Sequence, residues 1–293
     1  METNMDERIA LAIIGGSGLY DLPGLQDIEL KDLNTPFGKP SSEIMLGSLN
    51  GRRIAFLARH GIGHKFSPTE VNYRANIYAL KMLGAQSIIS ISACGSLQEE
   101  YAPGDIVIPD QLYDHTHRRI RSFFGNGIVA HVSVGDPFCT RFNIELFDAL
   151  KKSSENKVHL GGNLITIEGP RFSTKLESNI YRSWGMSLIG MTASPEAFLA
   201  REAEMCYSTM AHVTDYDVWH MSEMPVTVEM VIGILKKNTN TARKAIHQLV
   251  SDMTLDSDCE CSSTLKSAII TQKDAISPDS IKKLDILIGK YIH

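Results

Sequence analysis

Two aspartates one residue apart, Asp215 and Asp217, follow an apolar run that ends at Val213. If the extended backbone continues, positions i and i+2 project to the same side, so both carboxyl groups would face one space. Charged groups at the end of a buried strand need partners or a task. A turn or helix cap is the plainer use of a single Asp; the pair is read as a site because four other polar clusters end apolar runs in the same way. Arg59-His60 offers a planar fork that matches phosphate bidentately, with an imidazole donor beside it, or else a strand-end ion pair. Ser92-Ala93-Cys94-Gly95-Ser96 has the small side chains that permit close backbone approach to a ligand. Glu168-Gly169-Pro170-Arg171-Phe172 and Met191-Thr192-Ala193-Ser194-Pro195-Glu196 complete the set. Gly15-Gly16-Ser17-Gly18 also follows an apolar run. Positions 19–21 hold no third glycine for a dinucleotide fingerprint, and no Gly-Lys-Ser/Thr follows for a P-loop. An anion held there would depend on the Ser17 hydroxyl.

The elements that must carry these clusters are legible as short apolar runs. Strands are predicted at Leu11–Ile14, Ile54–Leu57, Ser87–Ile91, Ile106–Ile108, Leu164–Ile167, Ser187–Met191 and Met205–Val213. Helical spacing appears over Asn72–Leu83, over Pro195–Glu204 with its proline in the first turn, and over Thr227–Ser251 as one long or two shorter helices. One or two short helices are expected within Leu265–Ile292. Strands alternating with helices predict an α/β sandwich around a mostly parallel central sheet, in which ligands gather where strands end. Two polar stretches, His115–Asn126 and Asp256–Ser263, are expected to be flexible loops. No linker or repeat divides the chain, so one domain is expected over 1–293, with a core at about 9–250 and a C-terminal extension over 251–293.

Composition sets outer limits. The 293 residues carry 43% hydrophobic and 22% charged side chains, enough for a full core. A net charge of −5 with no like-charge block argues against nucleic acid as main partner. No run approaches the roughly 18–20 apolar residues of a membrane span. The polar start METNMDER lacks the pattern of a signal peptide, and five scattered cysteines suit a reducing compartment; a cytoplasmic enzyme is expected.

Taken together, the motifs carry a resemblance. GGSG (Gly15–Gly18), TPFGKPS (Thr35–Ser41), LARHG (Leu57–Gly61), VNYRANIYALK (Val71–Lys81), ACGSL (Ala93–Leu97), PGDIVIPDQ (Pro103–Gln111), DPFC (Asp136–Cys139), IEGPRFS (Ile167–Ser173), MT–PE (Met191–Glu196) and TDYDVW (Thr214–Trp219) stand in this order. The ordered set closely resembles the methylthioadenosine phosphorylases of the trimeric purine nucleoside phosphorylase group. That resemblance implies a nucleoside phosphorylase fold and phosphate-dependent cleavage of 5′-methylthioadenosine, through a ribosyl transition state like that of other glycosidic cleavages. It implies phosphate contacts at Ser17, Arg59, His60, Ser92, Ala93 and Thr192, with Met191 beside the ribose and Phe172 stacked on the purine. It implies Asp215 at N7 as general acid, Asp217 at the 6-amino group, and Val228, Val231 and a neighbouring subunit's His131 around the 5′ group. Relatives specific for 6-oxopurines differ at the Asp217 position, so Asp-Tyr-Asp favours adenine over a purine nucleoside phosphorylase of 6-oxopurine specificity. A catalytically silent nucleoside-binding protein would be expected to lack part of the phosphate set. A homotrimer is implied, or a trimer doubled into a hexamer.

No cofactor is needed, since phosphate is itself the nucleophile, and no metal-ligand spacing appears. Cys259-Glu260-Cys261 admits a small strained disulfide, a metal half-site or two reduced thiols; in some archaeal members of the group the same C-x-C is associated with a bridge. Cys94 is expected to be a packing residue. His131 could equally be a satisfied strand histidine, His64 could touch phosphate, and His115 and His117 look like loop residues.

Overall fold

The computed structural model describes residues 8–16, 22–220, 228–254 and 259–292, with backbone alone over 228–237. A mixed eleven-stranded sheet forms the frame. Its parallel centre sets β4 (Arg52–Ala58), β1 (Ile9–Gly15), β5 (Ser87–Ser96) and β11 (Cys206–Asp215) side by side. β1 and β11 are buried at every residue, as strands covered on both faces must be, which is why they read as unbroken apolar runs. From β5 the sheet continues through antiparallel β10 (Leu188–Gly190) to β9 (Asn163–Ile167) and β7 (Gln111–His115). At the other side β3 (Ile44–Leu49) and β2 (Gln26–Lys31) extend β4 in antiparallel fashion. β6 (Ile106–Ile108) pairs with β11 and with β8 (Val158–Leu160).

Among the described residues, six α-helices cover the two faces: α1 (Tyr73–Met82), α2 (Thr140–Ser153), α3 (Lys175–Ser183), α4 (Ala193–Glu202), α5 (Val228–Asp252) and α6 (Pro278–Ile292). The alternation along β1 sorts the layers. Ala12 and Ile14 join the core formed with α1, α4 and α6, whereas Leu11 and Ile13 join the core formed with α2 and α5. The result is the expected single α/β domain, helices on both sides of a mostly parallel sheet. α1 shows the local logic. The Asn72 side chain accepts a bond from Ala75 N–H at 3.2 Å, Ile77 and Leu80 are fully buried, and Gly84 turns the chain at φ +81°. The cap contributes about 1 kcal/mol, and each buried aliphatic side chain about 1.5–3 kcal/mol.

Several expectations need correction. Strands β2, β3, β7 and β8 and helices α2 and α3 were not among the predicted elements. β2 is an edge strand with five of six residues exposed, so it lacks the apolar run that marks a buried strand. The stretch His115–Asn126 is not a loose loop. Arg119 within it is only 6% exposed and donates to the carbonyls of Met191 (2.7 Å), Ser194 (2.6 Å) and Glu168 (2.8 Å). It ties the ends of β9 and β10 together. The C-terminal segment is integral to the core, since Leu265, Ala268, Ile276, Leu284, Leu287 and Ile288 are all buried in it.

Candidate active site

The order β4–β1–β5–β11 brings four C-terminal strand ends together, and the clusters singled out in the sequence meet there. β5 and β11 are paired from Cys206–Ser87 to Asp215–Gly95, with a register shift between Val213 and Asp215. Such a bulge re-aims the side chain that follows it. β10 runs against β5, so the residues after Gly190 head back toward Ser92. Ser92 Oγ and Thr192 Oγ1 lie 3.2 Å apart.

Asp215 is 8% exposed; its Oδ2 accepts from Thr214 Oγ1 at 2.6 Å and its Oδ1 from Asp217 N–H at 2.8 Å. The second bond alters the expected geometry. Asp217 has φ +49°, so the chain leaves the strand and folds its carboxyl group back by an Asx-type turn; the strand pleat does not align the pair. Burial raises both pKa values above the ordinary carboxylate range, opposed at Asp215 by the Thr214 hydroxyl and at Asp217 by the nearby Ser178 and Ser173 hydroxyls. Among the described residues, however, Asp217 Oδ2, Ser173 Oγ and Ser178 Oγ are buried without a partner in hydrogen-bond geometry. The two hydroxyls stand beside the Asp217 carboxylate, and the three groups form a buried polar cluster next to Asp215.

Gly95 makes the pair possible. A Cβ placed there would lie 2.9 Å from Asp215 Oδ1 and 3.0 Å from Ile189 Cγ2. Gly95→Ala is therefore expected to displace the Asp215 carboxyl group. Turnover should fall on the order of 10²-fold, the effect of a misplacement of about 1 Å, for a stability cost of about 1–3 kcal/mol. Parallel kinetics and thermal unfolding check this, and wild-type turnover in the variant would contradict it.

Arg59 is 3% exposed and held by the protein itself. Its Nε and Nη2 pair with the Glu196 carboxylate at 2.8 and 3.0 Å, Nη2 also reaches Ser90 Oγ and Ile14 O, and Nη1 donates to Ile91 O. Burial alone would lower its pKa, but the Glu196 carboxylate outweighs it and raises the value. The expected bidentate face is thus taken by Glu196, which the sequence offered as the last residue of the Met191–Glu196 cluster but with no role assigned. Among the described residues Nη1 has one acceptor, so it keeps a second N–H for a ligand. His60 also departs from expectation. Burial and the Arg59 charge push its pKa down to about 4. Its Nδ1 lies 2.8 Å from Phe66 O, which requires the proton on Nδ1. Nε2 then carries the lone pair, so the free ring nitrogen of His60 is an acceptor where a donor was expected.

Phe172 stands on the loop between β9 and α3. A reciprocal cap between Thr174 and Glu177 and the Arg171–Glu177 pair fix that loop, yet its ring is 40% exposed. Met191 packs over Gly169, where an added Cβ would lie 2.6 Å from its sulfur, and against the apolar cluster of Ile165, Ile167 and Ile189. Ala93 sits in β5 opposite His212. Cys94 is a packing residue, as expected, its thiol pushed up to about 12 by burial. Ser17 lies outside the described residues. Val228 and Val231 fall in the first turn of α5, where the side chains lie outside them too. The His131 N–H donates to Ala268 O at 2.9 Å, tying it to the C-terminal segment.

Residues 10–252 match the family described as the phosphorylase superfamily. The chain belongs to the phosphorylase superfamily. Among its members, a protein of Koribacter versatilis named S-methyl-5′-thioadenosine phosphorylase is 50% identical over 284 residues, covering 96% of both chains. A solved methylthioadenosine phosphorylase from an antarctic soil metagenomic library superposes with a TM-score of 0.92 at 44% identity, over 96% of this chain and 99% of that one. A Schistosoma mansoni methylthioadenosine phosphorylase, solved in complex with adenine, gives a TM-score of 0.79 at 38% identity, over 83% and 91% of the respective chains. In this superfamily member the fold also assembles what sequence spacing did not offer. Cys139, Cys206, Cys259 and Cys261, from three separate segments, converge at the far end of β11.

Proposed function

We propose that the protein uses inorganic phosphate to cleave the N-glycosidic bond of 5′-methylthioadenosine, giving adenine and 5-methylthioribose 1-phosphate. The observation that carries this reading is the buried Asp215–Asp217 pair at a strand end, with the Ser173 and Ser178 hydroxyls beside Asp217. The full-length similarity to proteins bearing the methylthioadenosine phosphorylase name supports the substrate. Adenine stacks on Phe172 and presents its 6-amino group to Asp217. Asp215, whose pKa burial raises, gives a proton to N7 as the base departs. Phosphate lies among Ser17, His60, Ser92, Ala93, Thr192 and the remaining Arg59 N–H, and donates a P–OH to His60 Nε2. Met191 flanks the ribose, with Val228, Val231 and a neighbouring subunit's His131 about the methylthio group. Phosphate is a co-substrate and no cofactor or metal enters the step.

Asp217→Asn tests the base assignment. Asn tolerates the left-handed backbone of residue 217 as Asp does, so the turn should persist. Relative activity on 5′-methylthioinosine against 5′-methylthioadenosine should rise by about tenfold or more, since one hydrogen bond turned from repulsive to favourable is worth at least ~1.4 kcal/mol. An unchanged ratio would mean that the base is read elsewhere.

The proposal includes a homotrimer in the cytoplasm. The outer side of α3 supports subunit contact: Leu176, Ile180 and Trp184, spaced i, i+4 and i+8, are 70, 37 and 49% exposed, and Tyr113 meets Trp184 at 5.8 Å. Such a stripe on one helix face is suited to packing. Analytical ultracentrifugation should give a multiple of the 32.4 kDa chain mass, and Leu176→Glu/Ile180→Glu should lower it. A fully active monomer would contradict this part.

A further inference from the structure

We propose that Cys139, Cys206, Cys259 and Cys261 form a structural tetrathiolate site for a zinc ion. All four sulfurs lie within 4.8 Å of one another, and Cys259 Sγ is almost equidistant from Cys139 Sγ (3.6 Å) and Cys206 Sγ (3.5 Å). Zinc–thiolate bonds of about 2.3 Å in a tetrahedron place sulfurs about 3.8 Å apart. A disulfide would instead bring one pair to about 2.05 Å and leave the other sulfurs outside it. Four sulfurs within 4.8 Å of one another are close enough for one four-coordinate soft cation to draw all of them onto itself.

The segments that supply them are fixed independently. Cys139 caps α2 and donates its N–H to Tyr207 O at 2.9 Å, which ties it to the residue after Cys206. Cys259 O accepts from Ser262 N–H and Oγ, holding the turn that carries Cys259 and Cys261. Thr264 Oγ1 bonds Arg201 O at 2.8 Å, joining that turn to the end of α4.

Two cations face the sulfurs. Arg201 Nη1 donates to Cys261 Sγ at 2.9 Å, and Arg141 Nη2 to Cys206 Sγ at 3.3 Å. Arg141 shares its charge with Glu145, but among the described residues Arg201 pairs with no carboxylate. A zinc ion with four thiolates carries two negative charges, and guanidinium donors at the sulfurs are the outer-shell partners such a site uses. A cavity of about 330 Å³ reaches Cys206, Cys259 and Arg141 and supplies a route for the ion; four thiols lose their protons on binding.

The site has no part in catalysis. Cys206 begins β11 and Asp215 ends it, about 30 Å away along an extended strand. Its effect is to fasten residues 259–292 to the sheet and to α2.

The test uses the full chain, expressed with zinc and purified under argon without chelator. Elemental analysis should find one zinc per chain. Replacement by Co(II) should give the intense visible and sulfur-to-cobalt bands of tetrahedral thiolate coordination. Cys261→Ser and Cys139→Ser should each lose the metal while still releasing adenine, a readout of the opposite end of the sheet that reports intact folding. Because the wild-type stoichiometry and cobalt spectrum need no variant, a misfolded variant leaves the test intact. Reduced protein that takes up neither zinc nor cobalt overturns the proposal. So does metal retained in both variants, or an intact mass short of two hydrogens for each of two bridges among these cysteines.

Discussion

Asp215→Asn is expected to lose roughly 10²–10⁴-fold in turnover on 5′-methylthioadenosine, the range general acid catalysis commonly contributes. Burial raises the Asp215 pKa because desolvation penalises the charged form. Among the described residues no cation acts on it to reverse this, and the acid is therefore retained to higher pH than in an ordinary aspartate. Asn keeps its carbonyl oxygen for the Asp217 N–H, and its amide N–H can donate to Thr214 Oγ1 in place of the bond Asp215 accepts from that hydroxyl, so the Asx-type turn and affinity for adenine should survive. What Asn cannot do is surrender a proton to N7. The sign of the pH effect follows: wild-type turnover should fall as pH rises through the Asp215 pKa, and this limb should be missing from the variant. A nucleoside whose base departs without protonation should show a much smaller loss. Equal losses on both substrates would reduce Asp215 to a positioning group.

The largest effect on stability is expected from Glu196→Ala. Glu196 is fully buried and bonds Arg59 twice and Tyr207 Oη at 2.9 Å. Its removal strands a guanidinium inside the domain, at a cost of about 3–5 kcal/mol. That is a large share of the ~5–15 kcal/mol that holds a typical domain together, so denaturant unfolding should shift far toward lower concentration. Arg59→Met/Glu196→Met should recover part of the stability, since two apolar side chains replace an ion pair with less penalty than a broken one. Activity separates the two roles of Arg59. If Nη1 touches phosphate, the double variant stays impaired with a raised KM for phosphate. If activity returns with stability, Arg59 only braces the strand ends.

Both residues illustrate where sequence reading reached and where it stopped. Buried strands are marked by their own composition, so Ile106–Ile108 and the run before Asp215 were legible, as was α1 with its cap and stop. The Arg59–Glu196 pair spans 137 positions, and nothing local distinguishes a guanidinium aimed at phosphate from one aimed at a carboxylate. His60 was legible as a site residue but its proton was not, because Phe66 O sets the tautomer. Arg119 sits in a polar stretch whose composition suggests a loop; only the folded chain shows the carbonyls it gathers. Beyond the half-site that Cys259-Glu260-Cys261 offered, the four-cysteine cluster stayed hidden for the same reason. Metal-ligand spacing is a local pattern, whereas Cys139 and Cys259 lie 120 positions apart.

The central claim is that phosphate is the nucleophile, and it is tested most directly by incubating the protein with 5′-methylthioadenosine in the presence and absence of phosphate. Adenine is followed by chromatography and the sugar product by phosphorus NMR. The account predicts negligible adenine without phosphate and, with it, one 5-methylthioribose 1-phosphate for each adenine released. Adenine released at the same rate without phosphate, together with free 5-methylthioribose, would contradict it.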